Sequence, residues 1–318
     1  MSSATTRMGI DKPILIAGAF VIVILLVGSA YTLATQGTLS FLSPTYLLQQ
    51  LQIASFLGIT AAGMMMVILL GHIDLSVPWT LSAAAMLATA VGGPAAVPVG
   101  LGVGLVVGLF NGLGVAYLRV PSMIFTLGVN TVLMGLMVIL TGGFAPQSAA
   151  TDLMLFFGRD RTFGIPHAVI LWIAVSVAIV FILNRTPLGR YMYAIGNREA
   201  ATYLSGVNTR LVIICSFVIC SLCAAIAGLL LAGYSSRAFQ AMGDEYLLPS
   251  IAAVVLGGTH ILGGRGKYLG TVIGAVLIVL LQSVLSVMQM PEAGRQIIYG
   301  AVIILMLLVY GRGDKLRA

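Results

Sequence analysis

The chain has 318 residues, of which 59% are hydrophobic and 8% charged, with a formal net charge of +7. Soluble domains carry about 25% charged residues, so this composition, with a mean hydropathy of +1.09, excludes a water-soluble globule and points to an all-α polytopic membrane protein. The basic excess implies no nucleic-acid partner: Lys and Arg fall in loops rather than in a patch, where the positive-inside rule puts them beside a lipid bilayer.

Apolar stretches of about 20 residues span a bilayer. Ten are legible, at 14–34, 46–70, 75–92, 95–118, 122–141, 166–183, 210–232, 246–262, 268–288 and 295–311. The first is too long for a signal-peptide core and reads as a retained span. Segment 246–262 is interrupted by Pro249 and by Gly257-Gly258, a pattern open to crossing or re-entrance. Ten crossings with cytosolic N- and C-termini place twelve of the sixteen Lys and Arg inside, Arg7, Arg312, Lys315 and Arg317 among them. Only Arg159, Arg161, Arg237 and Arg295 then fall outside. The whole of 1–318 reads as one transmembrane domain, with a cytosolic loop 184–209 and an outer loop 142–165.

Between the second and third spans lies Gly71-His-Ile-Asp-Leu-Ser-Val-Pro78. Asp74 or Ser76 can cap the following helix, and Pro78 suits its first turn. A lone intramembrane acid is also a functional candidate, although this topology puts Asp74 near a membrane face. His72 has no partner at metal-ligand spacing. The next span carries Gly100, Gly104, Gly108 and Gly112 at spacing four, a flat stripe on which another helix can pack closely. Asn111 beside the stripe and Asn130 in span 122–141 each need a polar partner or water. They either line a permeation path or bond a neighbouring helix. In the outer loop, Asp152 to Phe157 reads as a short interfacial helix. Cys220 and Cys223, with Cys215 in the same apolar segment, have no second pair or His cluster and read as small packing residues.

The stretch from Thr186 to Gly206 is the largest polar island in the second half. Asn197 can cap a helix of two turns over 198–205, and Gly206 can take the left-handed conformation that ends it. That is either a lever gripped by a second protein or an ordinary surface helix. Later, Gly257-Gly-Thr-His-Ile-Leu-Gly-Gly-Arg-Gly-Lys267 is not a phosphate-binding loop: Ile261 stands where the first glycine belongs, and Tyr268 follows the lysine. The glycines read as a tight turn between helices. No nucleophile system, catalytic carboxylate pair or metal cluster is visible, so the chain has no enzymatic chemistry of its own.

At these motifs the chain resembles the membrane permease subunits of ABC importers, in the ribose/xylose/autoinducer-2 branch. Gly71-His-Ile-Asp-Leu-Ser-Val is similar to that family's Gly-Gly-Ile-Asp-Leu-Ser-Val segment. Thr186-Pro-Leu-Gly-Arg with Ala194-Ile-Gly-Asn-Arg-Glu-Ala-Ala and Ser205-Gly206 resembles its coupling loop, and Gly257-Gly-Thr with Gly263-Gly-Arg-Gly its late glycine turn. Two departures stand out. His72 replaces a glycine, and four residues rather than three separate Glu199-Ala-Ala from Gly206.

The resemblance implies a permease of the bacterial inner membrane that imports a sugar or similar small polar solute by alternating access. It implies a second permease chain, two ATPase subunits or one fused pair carrying ATP and Mg, and a periplasmic solute-binding protein; this chain itself holds no cofactor. Asn197, Arg198, Glu199, Ala200, Ala201, Leu204 and Gly206 would couple to the ATPase. Arg159, Arg161, Arg237 and Arg295 would meet the binding protein. Competing readings are an ion-coupled secondary transporter, a structural or assembly protein, and an importer permease for nucleosides or branched-chain amino acids.

Overall fold

A computed structural model describes residues 12–144, 146, 148–291, 293–298, 300, 301 and 304. The helices are α1 (Lys12–Gln36), α2 (Pro44–Ile68), α3 (Val77–Val91), α4 (Ala96–Leu118), α5 (Ser122–Thr141), α6 (Asp152–Gly158), α7 (His167–Arg185), α8 (Pro187–Leu204), α9 (Thr209–Ser235), α10 (Leu247–Leu256) and α11 (Tyr268–Val287). Two-residue strands β1 (Arg161–Thr162) and β2 (Ile165–Pro166) pair antiparallel in the loop before α7. Local chemistry sets several boundaries. Ser43 accepts the Tyr46 N–H at the start of α2, with Pro44 in its first turn. Asn208 does the same for Leu211 N–H at α9.

Among the described residues, seven helices are long and apolar enough to cross a membrane. Two of the expected spans are shorter than the sequence suggested. α3 has 15 residues and α10 has 10, about 22 Å and 15 Å at 1.5 Å per residue, against a hydrocarbon core of about 30 Å. The broken pattern at Pro249 and Gly257-Gly258 thus marks a helix too short to cross by itself. Both chain termini, Arg7, Glu292, Arg312, Lys315, Arg317 and most of the expected span 295–311 lie outside the described residues.

α9 is the central post, packing against α2, α3, α4 and α6. α2 and α3 are buried nearly all round, whereas α1, α5 and α7 expose wide apolar faces, as lipid-facing helices do. α11 lies between α1, α2 and α10, and its Ser283 hydroxyl is hydrogen-bonded to Tyr46 of α2.

The α4–α9 contact is built on the glycine stripe. A Cβ at Gly104 would stand 2.7 Å from the Ala225 Cβ and the Ser221 carbonyl oxygen, one at Gly108 2.6 Å from the Val218 Cα, and one at Gly112 2.7 Å from the Ile214 Cα. Gly100 meets Leu229 at 2.7 Å. Without a hydrophobic drive between helices in lipid, such close approach supplies the dispersion contact that holds them together. Gly270 and Gly274 repeat the device against the carbonyls of Gly257, just past the end of α10, and of Ala253 within it. Gly102, on the same helix as the stripe, has nothing within 4 Å of its would-be Cβ. We therefore expect Gly108→Leu to lower the melting temperature of the detergent-purified protein sharply, by overpacking worth roughly 1–3 kcal/mol or more, and Gly102→Leu to leave it near wild type. Equal effects at the two positions would show that α4 and α9 are not in this contact.

Candidate functional site

Three stretches that are far apart in the chain meet at the end of α2. The carbonyl of Leu69 accepts the Gly264 N–H at 2.9 Å. Gly196 of α8 lies against both, its would-be Cβ 2.0 Å from Leu69 O and 2.4 Å from Gly264 N. Gly263 sits over Gly71 N in the same way at 2.7 Å. Gly71, Gly263 and Gly264 have φ of +82°, +90° and +77°, in the left-handed region that only glycine enters cheaply. Backbone thus touches backbone at this junction, and any side chain at Gly196 would separate the turns.

α8 begins where Thr186 accepts the Gly189 N–H and continues past the junction to Leu204, but its backbone breaks at Arg198, with φ −161° and ψ 99°. The expected helix start is therefore present as a kink within one longer helix. Asn197 does not act there as the expected capping acceptor. Its Nδ2 donates to Tyr193 O at 2.8 Å and to Gly264 O at 3.4 Å, so it ties α8 to the late glycine turn. Tyr193 adds a second tie, its hydroxyl donating to Gly266 O at 2.8 Å. Beyond the kink, Arg198, Glu199, Ala200, Ala201, Tyr203 and Leu204 are all exposed, Leu204 at 85%. Gly206, with φ +84°, closes the helix.

The motif after Gly71 runs into the bundle as irregular chain before α3 begins. Asp74 and Ser76 are fully buried. One face of α5 supplies acceptors to this segment. Ser122 Oγ accepts Ile73 N–H at 3.3 Å, Thr126 Oγ1 accepts Leu75 N–H at 2.9 Å, and Asn130 Oδ1 accepts Trp79 N–H at 3.3 Å. Asp74 Oδ1 accepts Ser76 N–H at 2.9 Å and Ser76 Oγ–H at 2.6 Å. From α4, Asn111 Nδ2 donates to Ser76 Oγ at 2.7 Å and to Asp74 Oδ1 at 3.4 Å. Sequence reading singled out Asn111 and Asn130 but missed Ser122 and Thr126. The signal was there: Ser122, Thr126 and Asn130 recur at spacing four on an otherwise apolar span, one face of a helix.

A pocket of about 900 Å³ joins the two arrangements, lined by His72, Ser122, Arg119, Glu199, Tyr203 and Arg210 among others. Arg210 stacks on the Tyr117 ring at 5.0 Å. At the opposite side of the chain's loops, Arg159 Nη1 donates to Ser236 Oγ at 3.3 Å and Arg161 Nη2 to Gln52 Oε1 at 3.0 Å. Ala149 pairs with Arg237 in a β-bridge, which draws three of the four singled-out arginines toward one surface. Arg295 stands apart in sequence, after α11. No group of three or more His, Cys, Asp or Glu among the described residues is arranged to hold a metal ion.

A buried N–H left without its acceptor costs about 1–3 kcal/mol. Thr126→Val keeps shape and removes the acceptor of Leu75 N–H, so it should destabilise the purified protein by about that much, while Thr126→Ser should not. Equal melting temperatures for the two variants would mean that α5 does not hold the motif segment.

The family model described as branched-chain amino acid transport system / permease component matches residues 46–307. The ribose import permease protein of Escherichia coli K12 is 36% identical over 283 residues, covering 85% of this chain and 88% of that one. The same-named protein of Bacillus subtilis 168 is 36% identical over 276 residues, covering 85% and 86%. The fructose import permease protein of Rhizobium meliloti is 31% identical over 278 residues, covering 83% and 76%. No solved structure matches the chain.

Proposed function

Because the chain belongs to the family of branched-chain amino acid transport system permease components, we propose that it forms the solute path of an ATP-driven, binding-protein-dependent sugar importer. It is a multi-pass protein of the bacterial inner membrane. Sugar is favoured over branched-chain amino acids or nucleosides because relatives that align along most of their length are ribose and fructose import permeases. An ion-coupled carrier usually places ionisable residues along its path, and the seven long helices carry no Asp, Glu, Lys or Arg in their apolar interiors.

The observation that carries the mechanism is the junction of Gly196, Leu69 and Gly264. The exposed helical turn 199–204 is continuous, through the Arg198 kink, with a segment fastened to both motif turns. A partner that pulls on this turn moves the end of α2 and the start of α11 together. ATP and Mg would be held by two ATPase subunits or one fused pair, and Ala200, Ala201, Tyr203 and Leu204 offer an apolar face for one of them. Arg198 and Glu199 flank that face. A ligand can shift an equilibrium only by binding one state better, so these contacts must differ between the two states of the cycle.

In the same reading, a second permease chain completes the path. Asn111 is enclosed, so the half-buried Asn130 on α5 is the asparagine that would border it. Ten crossings with both termini cytosolic remain the topology that keeps loop 184–209 inside and loop 142–165 outside. α3 and α10 would then complete their crossings with the irregular chain that adjoins them, and 295–311 would supply the last.

Ala201→Arg should abolish solute-stimulated ATP hydrolysis by the reconstituted complex while leaving membrane insertion intact. Normal coupling in that variant would remove turn 199–204 from the ATPase contact. On the other face, Arg237→Glu should cut binding-protein-stimulated transport several-fold and leave basal ATPase activity unchanged, since exposed charges act mainly on association. The loss should shrink as salt is raised. Unchanged stimulation and unchanged salt dependence would show that the binding protein docks elsewhere.

A further inference from the structure

The polar cluster at Asp74 leaves two buried side-chain oxygens without a partner. Asp74 Oδ1 receives Ser76 N–H, Ser76 Oγ–H and Asn111 Nδ2–H, and the Cys220 thiol is a further, weak donor to the carboxyl group. Asp74 Oδ2 has no partner and is buried. Asn111, whose Nδ2 already reaches Asp74, has an equally buried and unpartnered Oδ1. Both orphans are acceptors as the groups are ordinarily drawn. An ionised carboxylate spreads its charge over two equivalent oxygens, and both attract donors. Here the oxygens are sharply unequal, as they are in a carboxylic acid, where one is a carbonyl and the other a hydroxyl.

The surroundings offer no counter-charge. From α4 the group that meets Asp74 is the neutral Asn111. From α5 come the neutral Ser122, Thr126 and Asn130, bonded to the flanking backbone. From α9 the thiol of Cys220 lies beside the carboxyl group, with Cys223 one turn on. His72, two residues away, stacks near Phe217 and faces the pocket with Glu199, Arg119 and Arg210. A buried charge without a partner is far costlier than a buried neutral group with its hydrogen bonds made.

We propose that Asp74 is a resident neutral carboxylic acid whose Oδ2–H donates to Asn111 Oδ1, closing a two-point acid–amide pair between the motif segment and α4. One proton satisfies both orphans at once. Asp74 is then a positioning residue: through Asn111 it fixes the entry to α3 against α4, and its proton does not exchange during function. This goes beyond the importer reading and does not depend on it, because the chain alone can be tested.

The test is infrared spectroscopy of the purified full chain in a maltoside detergent, which has no carbonyl band of its own. The expected result is a carboxylic-acid carbonyl band that persists at about pH 8, where exposed carboxylates are ionised, and that is missing from Asp74→Asn. The amide Nδ2–H of that variant replaces the acid O–H, so its melting temperature should match wild type from about pH 5 to about pH 8, whereas Asp74→Leu should melt lower. If Asp74→Asn does not fold, the wild-type band at about pH 8 still decides. Absence of that band overturns the proposal. So does a wild-type melting temperature that rises with sodium or potassium chloride but not with choline chloride, which would make Asp74 a carboxylate holding a cation.

Discussion

Backbone that leaves regular structure inside an apolar bundle must still have its N–H and C=O groups satisfied. Much of this molecule answers that requirement at one place, residues 72–79. The chain there cannot bond to itself as a helix does until α3 is under way. Side chains take over: Ser122, Thr126 and Asn130 of α5 accept the N–H groups of Ile73, Leu75 and Trp79, and Asp74, itself hydrogen-bonded by Asn111 of α4, accepts that of Ser76. This also explains why α5, which exposes most of its surface, is held in a defined place. Its attachment is polar and directional, along one narrow face, while the rest of its surface is left apolar for lipid or another chain.

The second requirement is mechanical. A lever between a soluble partner and a membrane bundle must not bend where it is fastened. At the Leu69–Gly196–Gly264 junction the contacts are between main chains, which have no rotamers to absorb a displacement. The one conspicuous break, at Arg198, lies just outside the fastened part. The geometry separates a clamped half of α8, ending at Asn197, from an exposed half, the one proposed to meet the ATPase.

The class of the fold was written in hydropathy: α1, α2, α4, α5, α7, α9 and α11 each follow an apolar run near its expected bounds. The glycine spacing on α4 was equally plain, because a four-residue repeat in an apolar helix has one physical use above others. Length was misjudged for α3 and α10, since an apolar run reports burial and says nothing of where the hydrogen-bonded helix stops. Pro249 and the glycines carried that information in part. Asn197 looked like a cap because Asn before a helical turn commonly is one; a tertiary acceptor, Gly264 O, claimed its amide instead. The meeting of the three motif stretches could not be read at all, because nothing in a linear string pairs residue 69 with 196 and 264.

The same junction has a consequence for how its history would be inferred. Contacts between side chains leave a trace when one partner changes size and the other compensates. Gly71, Gly196, Gly263 and Gly264 have no smaller form to exchange for and no room for a larger one, so substitution at one cannot be rescued by substitution at another. Their contact should be silent to any method that finds neighbours by paired substitutions, however many sequences are compared, and a link between main chains would be one that such a map leaves blank.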